Sequence, residues 1–183
     1  AACELTWNYF YPSKPLPEIV RLLGSYDSFR HKGTEEEQKV FKFQYAARAF
    51  MENPQDCYDL LNSDIDTGEW IVSGHAILEY LKVEARGIYA GHSRKLIQAP
   101  GGGKLLAATV NQARFNPKSF GIDFHADGYD VFICYHRLKT GMWSFSIYND
   151  NGVVDASVLA KANGGGGHAG AAGFVAENIS FIE

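Results

Sequence analysis

Cysteine is scarce in this chain, and the three that occur, Cys3, Cys57 and Cys134, are far apart and form no CxxC pair. That excludes a disulfide framework and a zinc ribbon, and it reads as reduced thiols in a cytoplasmic protein. Long apolar runs are also missing. Nothing approaches the ~18 residues that a spanning helix needs, and no signal peptide is visible, so no membrane partner is expected. An excess of positive charge is lacking too: 17 Lys+Arg against 21 Asp+Glu give a net charge of −4. A protein that coats nucleic acid non-specifically is thereby excluded, and any phosphate recognition must be local. The usual nucleotide loop is absent as well, because Gly101-Gly102-Gly103-Lys104 has Gln98 where GxxxxGK[ST] needs its first glycine. The remaining composition, 46% hydrophobic and 21% charged, is that of an ordinary globular protein.

Glycine, by contrast, is concentrated. Gly164-Gly165-Gly166-Gly167 precedes His168 and then Ala169-Gly170-Ala171-Ala172-Gly173-Phe174. Four successive glycines cost much backbone entropy on folding, so the fold must use them. Positive φ would let their amides converge into an anion-binding nest, and a missing Cβ would let a ligand approach the main chain. His168 is placed to donate to a phosphate oxygen held there. A flexible linker is the alternative, but linkers continue into polar residues and this run continues into a compact apolar segment.

In chain order, residues 2 to about 10 read as a helix ended by Pro12 and Pro15. A second helix follows Pro17, carries Ile19, Val20, Leu22 and Leu23 to a core, and closes at Gly24. Thr34-Glu35-Glu36-Glu37 reads as a capping box for a third, and Asn53-Pro54 opens a fourth. Asp64-Ile65-Asp66-Thr67-Gly68 places Asp66 or Thr67 as the cap of a long helix reaching about Tyr89. Beyond it the texture becomes strand-like: Leu96-Ile97 and Leu105–Val110 around the turn 100–103, Tyr129–Leu138, Met142–Tyr148, and a last strand from Val175 to Ile182. Asn116-Pro117 begins a short helix, and Asp155 caps another over 156–163, ended by Asn163-Gly164. The fold expected is α/β: a helical segment 1–66, a linker helix 67–92, and a small mixed-sheet domain 93–183.

A helix, then GGGGH, then A-x-A-A-G-F, together with Ser144–Tyr148 and Val154–Ala160 before them, resembles the closing unit of the C-terminal domain (DHHA1) of DHH superfamily phosphoesterases. The branch it is most similar to holds the nanoRNase and cyclic-nucleotide phosphodiesterase-related proteins, and some superfamily members are exopolyphosphatase-related. The resemblance implies a manganese-dependent phosphoesterase in which two Mn²⁺ ions, bound mostly upstream, activate a water. It implies that Gly164, Gly165, Gly166, Gly167 and His168 hold the substrate phosphate, with Ser146 and Asn111 as weaker candidates. Relatives commonly carry an arginine where Tyr148 stands here; a tyrosine can stack on a base but brings no charge. Arg114, Lys104 or Arg137 could supply charge instead.

Asp27, just past a hydrophobic helix and between Tyr26 and Ser28-Phe29, matches the superfamily's late metal-binding aspartate. A hard carboxylate oxygen suits Mn²⁺, although a turn Asp explains the residue equally well. Neither Asp-x-Asp nor Asp-His-His occurs; His125-Ala126-Asp127 and His136 do not reproduce them. Ala1 is not an initiator, and residues 1–7 already read as helix interior, which suggests the C-terminal half of a longer protein. The chain alone is therefore expected to be inactive, its partners being an upstream DHH domain and a nucleotide or short oligonucleotide, with a homodimer left open. Two alternatives stay beside this reading: a non-catalytic nucleic-acid or anion-binding module, as at the end of alanyl-tRNA synthetases, and polyphosphate hydrolysis.

Overall fold

The computed structural model describes residues 1–62, 67–113 and 115–183. The fold is mixed α/β: six α-helices and a six-stranded mixed sheet among the described residues. Its contacts divide the chain into two compact units, Ala1–Leu81 and Lys82–Glu183. No described helix is long and apolar enough to cross a membrane.

The first unit is helical. Helices α1 (Ala2–Phe10), α2 (Glu18–Asp27), α3 (Glu37–Phe50) and α4 (Pro54–Asn62) precede α5 (Thr67–Ala90), whose residues up to Leu81 belong to this unit. Ile19, Val20 and Leu22 of α2 meet Val40 and Phe43 of α3 and Leu60 of α4, with Trp70 and Ile71 of α5 packed against them. These apolar positions recur at helical spacing, which is why one face of each helix is buried.

Two expectations are corrected here, and a third falls partly outside the described residues. Helix α2 runs through Gly24 instead of ending there; Gly24 is buried against the end of the Glu4 side chain, which a Cβ would have to displace. Thr34 caps nothing: its hydroxyl donates to His31 O, and α3 starts three residues later. Of the two residues expected to cap the long helix, Thr67 is its first residue and donates its hydroxyl to Glu18 (2.7 Å), while Asp66, like Asp64, lies outside the described residues.

The second unit is built on the sheet β1 (Ser93–Gln98), β2 (Lys104–Asn111), β3 (Val131–Arg137), β4 (Trp143–Tyr148), β6 (Ala171–Ala176), β5 (Gly166–His168), given in spatial order. Only β2 and β3 are parallel; the other neighbours are antiparallel. Because side chains alternate, residues paired across strands share a face. One face carries Ile97, Ala107, Val131, Ile133, Phe145, Ile147 and Phe174, and it is buried under Ala156, Leu159 and Ala160 of α6 (Ala156–Ala162).

Asp155 caps α6 as expected, accepting from Ser157 N at 2.8 Å. The final strand differs from expectation: β6 spans 171–176, and Ser180–Ile182 is a 3-10 turn. Alanine and glycine are poor strand formers alone, but 171–173 are held by partners on both sides.

Candidate functional site

The second face of the same sheet is where the candidate residues gather. Across the strands Cys134 pairs with Ser146, Ser146 with Gly173, and Gly173 with Gly166. One step along, Phe132 pairs with Tyr148, Tyr148 with Ala171, and Ala171 with His168. At the β3 end this face is covered by aromatic rings: Phe115 stacks on Phe132 at 5.5 Å, and Phe124 and Tyr89 lie beside it. Toward β5 it changes character. Gly166, Gly173, Ala171 and Ser146 are only half-buried, and His168 is exposed. The result is a shallow strip of glycine, alanine and serine, with Tyr148 and His168 along one side.

The glycine run splits into parts with different duties. Asn163 ends α6; Gly164 N donates to Lys161 O (3.1 Å) and Gly165 N to Ala160 O (2.9 Å), with Gly164 at φ +79°. This is the Schellman pattern of helix termination. Those two amides are consumed, so the nest expected over all four glycines is not formed by Gly164 and Gly165. Gly165 is further required because a Cβ there would lie 2.1 Å from Gly173 O. Gly167, at φ +141°, would put a Cβ 2.5 Å from the Ala172 Cα.

Gly166 is different. Its φ is not in the left-handed region, and a Cβ added there would meet nothing within 4 Å. The fold does not need a glycine at this position.

The hairpin after it is pinned. Ala156 N donates to Ala169 O (2.8 Å) and Asn149 N to Gly170 O (3.2 Å). Asn149, itself buried, also donates from its side chain to Asp130 O (2.9 Å). The backbone that carries His168 is thus fixed from the start of α6 and the end of β4. Beneath the strip lies Cys134, whose thiol donates to Phe115 O. Burial pushes that thiol up to about 11, outweighing the opposing hydrogen bonds of the Ser146 and Tyr148 side chains. It is an unreactive floor residue.

The other candidates lie elsewhere. Asn111 is exposed at the end of β2, and its pairing with Tyr135 puts it on the face covered by α6, away from Ser146 and Tyr148. Arg114 lies outside the described residues. Asp27 is in the first unit, the exposed last residue of α2. No group of three or more His, Cys, Asp or Glu that could hold a metal ion occurs among the described residues. A two-metal centre therefore does not fit these residues alone, and Asp27 supplies at most one of its ligands. Sequence reasoning missed Ala171 and Gly173 as part of the strip. The alternation Ser144, Ser146, Tyr148 against Trp143, Phe145, Ile147 was the signal for the polar face.

No protein-family model matches the chain, and no curated protein sequence does. Among solved structures it is similar to a pGpG-specific phosphodiesterase, PggH from Vibrio cholerae, at 12% identity and a TM-score of 0.43, over 94% of this chain and 66% of that one. It is also similar to an uncharacterized protein from Helicobacter pylori G27, at 12% identity and a TM-score of 0.35, over 90% of this chain and 49% of that one. Both likenesses are coarse. The chain spans about two thirds of the length of the first and half of the second.

Proposed function

We propose that this chain is the substrate-holding part of a phosphoesterase that hydrolyses short oligonucleotides or related small phosphodiesters. The strip over β4, β6 and β5 receives the terminal phosphate. The observation that carries this reading is Gly166: three glycines of the run are explained by helix termination or close backbone approach, and this one opens onto unoccupied space. A glycine that the fold does not require is explained by a ligand that comes close to the main chain. The GGGGH signature supports the same assignment, with His168 donating to a phosphate oxygen and the Ser146 hydroxyl adding a neutral donor. Tyr148 contributes a ring face and a single phenolic group in place of a cation.

Chemistry beyond holding would need Mn²⁺, which would supply a water activated at neutral pH. Asp27 would be this chain's one ligand to it, and the remaining ligands would have to come from an upstream DHH segment. Without them the chain binds and does not hydrolyse.

The test is a titration of the chain with ribose 5-phosphate, followed by amide NMR, in the wild type, Gly166→Val and His168→Ala. Weakened binding in both variants with unchanged thermal unfolding supports the assignment. Equal binding by all three proteins contradicts it. Hydrolysis of a dinucleotide by this chain with Mn²⁺ would contradict the division of labour.

A further inference from the structure

The open face of the sheet continues past the strip into a row that carries a histidine. Across the strands His136 of β3 pairs with Ser144 of β4, and Ser144 with Val175 of β6. Side chains alternate along a strand, so His136 shares a face with Cys134, and Ser144 with Ser146. The row therefore borders the strip on the side away from Tyr148. Phe132 is buried at the inner end of this face, whereas His136 and Ser144 are half-buried and Val175 is 50% exposed.

Strand β4 shows that this face is more than a wetted surface. Its core side is built from Trp143, Phe145 and Ile147, while Ser144, Ser146 and Tyr148 put three hydroxyls on the other side. Exposed positions are usually filled by Lys, Arg, Asp or Glu. The row from His136 to Val175 and the row from Cys134 to Gly166 contain none of these four. No carboxylate there repels an anion, and the donors offered are hydroxyls and an imidazole N–H.

Spacing selects the ligand. Strands ~4.8 Å apart with a rise of ~3.3 Å per residue place Ser144 about 12 Å and His136 about 16 Å from Gly166 along the sheet. One phosphate at Gly166 cannot also meet both, so they face a more distant group of the same ligand. A run of contiguous phosphates would call for cations, which the two rows lack. Phosphates separated by uncharged nucleosides suit neutral donors, and Val175 adds an apolar contact for a sugar or base.

We propose that His136 and Ser144 form a second subsite, for an internucleotide phosphate of an oligonucleotide whose terminal phosphate lies at Gly166. This rests on the reading of the strip as a terminal-phosphate site and deepens it: the ligand holds more than one nucleotide, and neither a mononucleotide nor inorganic polyphosphate fills the site.

The experiment titrates the full 183-residue chain, without added metal and at fixed salt, with ribose 5-phosphate, adenosine 5′-monophosphate and 5′-phosphorylated triadenylate. The wild type should bind triadenylate about tenfold more tightly than the monophosphate. His136→Ala and Ser144→Ala should each reduce that advantage while leaving the two small probes and the urea midpoint unchanged. His136→Gln, which keeps a neutral donor, should retain part of it. Gly166→Val should weaken all three probes. Triadenylate bound no more tightly than the monophosphate, or bound equally by wild type, His136→Ala and Ser144→Ala, overturns the subsite. The terminal-phosphate reading then still stands if Gly166→Val weakens the monophosphate. An equal loss of all three probes in His136→Ala also overturns the subsite, and if that variant does not fold, Ser144→Ala decides by the same criterion. A wild type that binds none of the three probes overturns both readings.

Discussion

The two faces of the sheet in the second unit are made from the same strands and differ in almost everything else. Ile133, Phe145, Ile147 and Phe174 on one face are closed under α6, each at 5% exposure or less. On the other, Ser146, Gly173 and Gly166 make a floor with hardly any side chain on it, although Cys134 and Phe132 are buried at its inner end. The contrast separates the face that carries stability from the face that the proposal assigns to a ligand. Burial of apolar area accounts for the first face. The fold accounts for Gly173, where a Cβ would lie 2.6 Å from Phe145 O, but not for Gly166, which the proposed phosphate ligand would explain.

Substitutions sharpen or break that contrast. The largest effect is expected on the closed face: Phe145→Ala should cost about 3–5 kcal/mol of stability in a urea titration followed by circular dichroism. A change within ~0.5 kcal/mol would mean that this face is not the core. Next comes Gly165→Ala, which must push a methyl against Gly173 O and Phe174. About 1–3 kcal/mol should be lost, whereas its neighbour Gly166→Val should unfold within ~0.5 kcal/mol of the wild type. If the two variants were equally destabilised, the division of the glycine run would be wrong.

The smallest effect is chemical. With dithionitrobenzoate at pH 8, the exposed Cys3 and the half-buried Cys57 should react in the native chain, and Cys134 only after unfolding. The sign of the accompanying pH dependence follows from the raised thiol. Its folded value of about 11 lies above the ordinary 9.0, so the unfolded chain releases this proton first. The stability it contributes is complete below about pH 9 and is lost as pH rises toward 11. Rapid labelling of Cys134 in the native chain would place it on an open surface instead.

Much of this was readable from residue order, for stated reasons. Asp155 before Ala156-Ser157 and Asn163-Gly164 after Lys161-Ala162 are local signals, and both ends of α6 fall where they point. The turn 100–103 between apolar runs gave the β1–β2 hairpin in the same way. Failures came where tertiary contacts decide. Gly24 looks like a helix stop until Glu4 is seen packed on it, and Ala171-Ala172-Gly173 becomes strand only between two partners. The four glycines are identical as letters; whether one ends a helix, admits a carbonyl or faces open space depends on φ and on neighbours distant in sequence. Phe29 gave no sequence signal for its left-handed φ of +58°, since the bend is imposed by hydrogen bonds to Gly24, Tyr26 and Ser25.

The most direct measurement of the central claim is a residue-resolved amide NMR titration of the chain with ribose 5-phosphate. The account predicts saturable shifts at Gly166, His168, Ser146 and Gly173, and none at Leu159 or Ala160 of α6. Saturable shifts confined to other residues, or none at a concentration where the phosphate demonstrably binds, would contradict it.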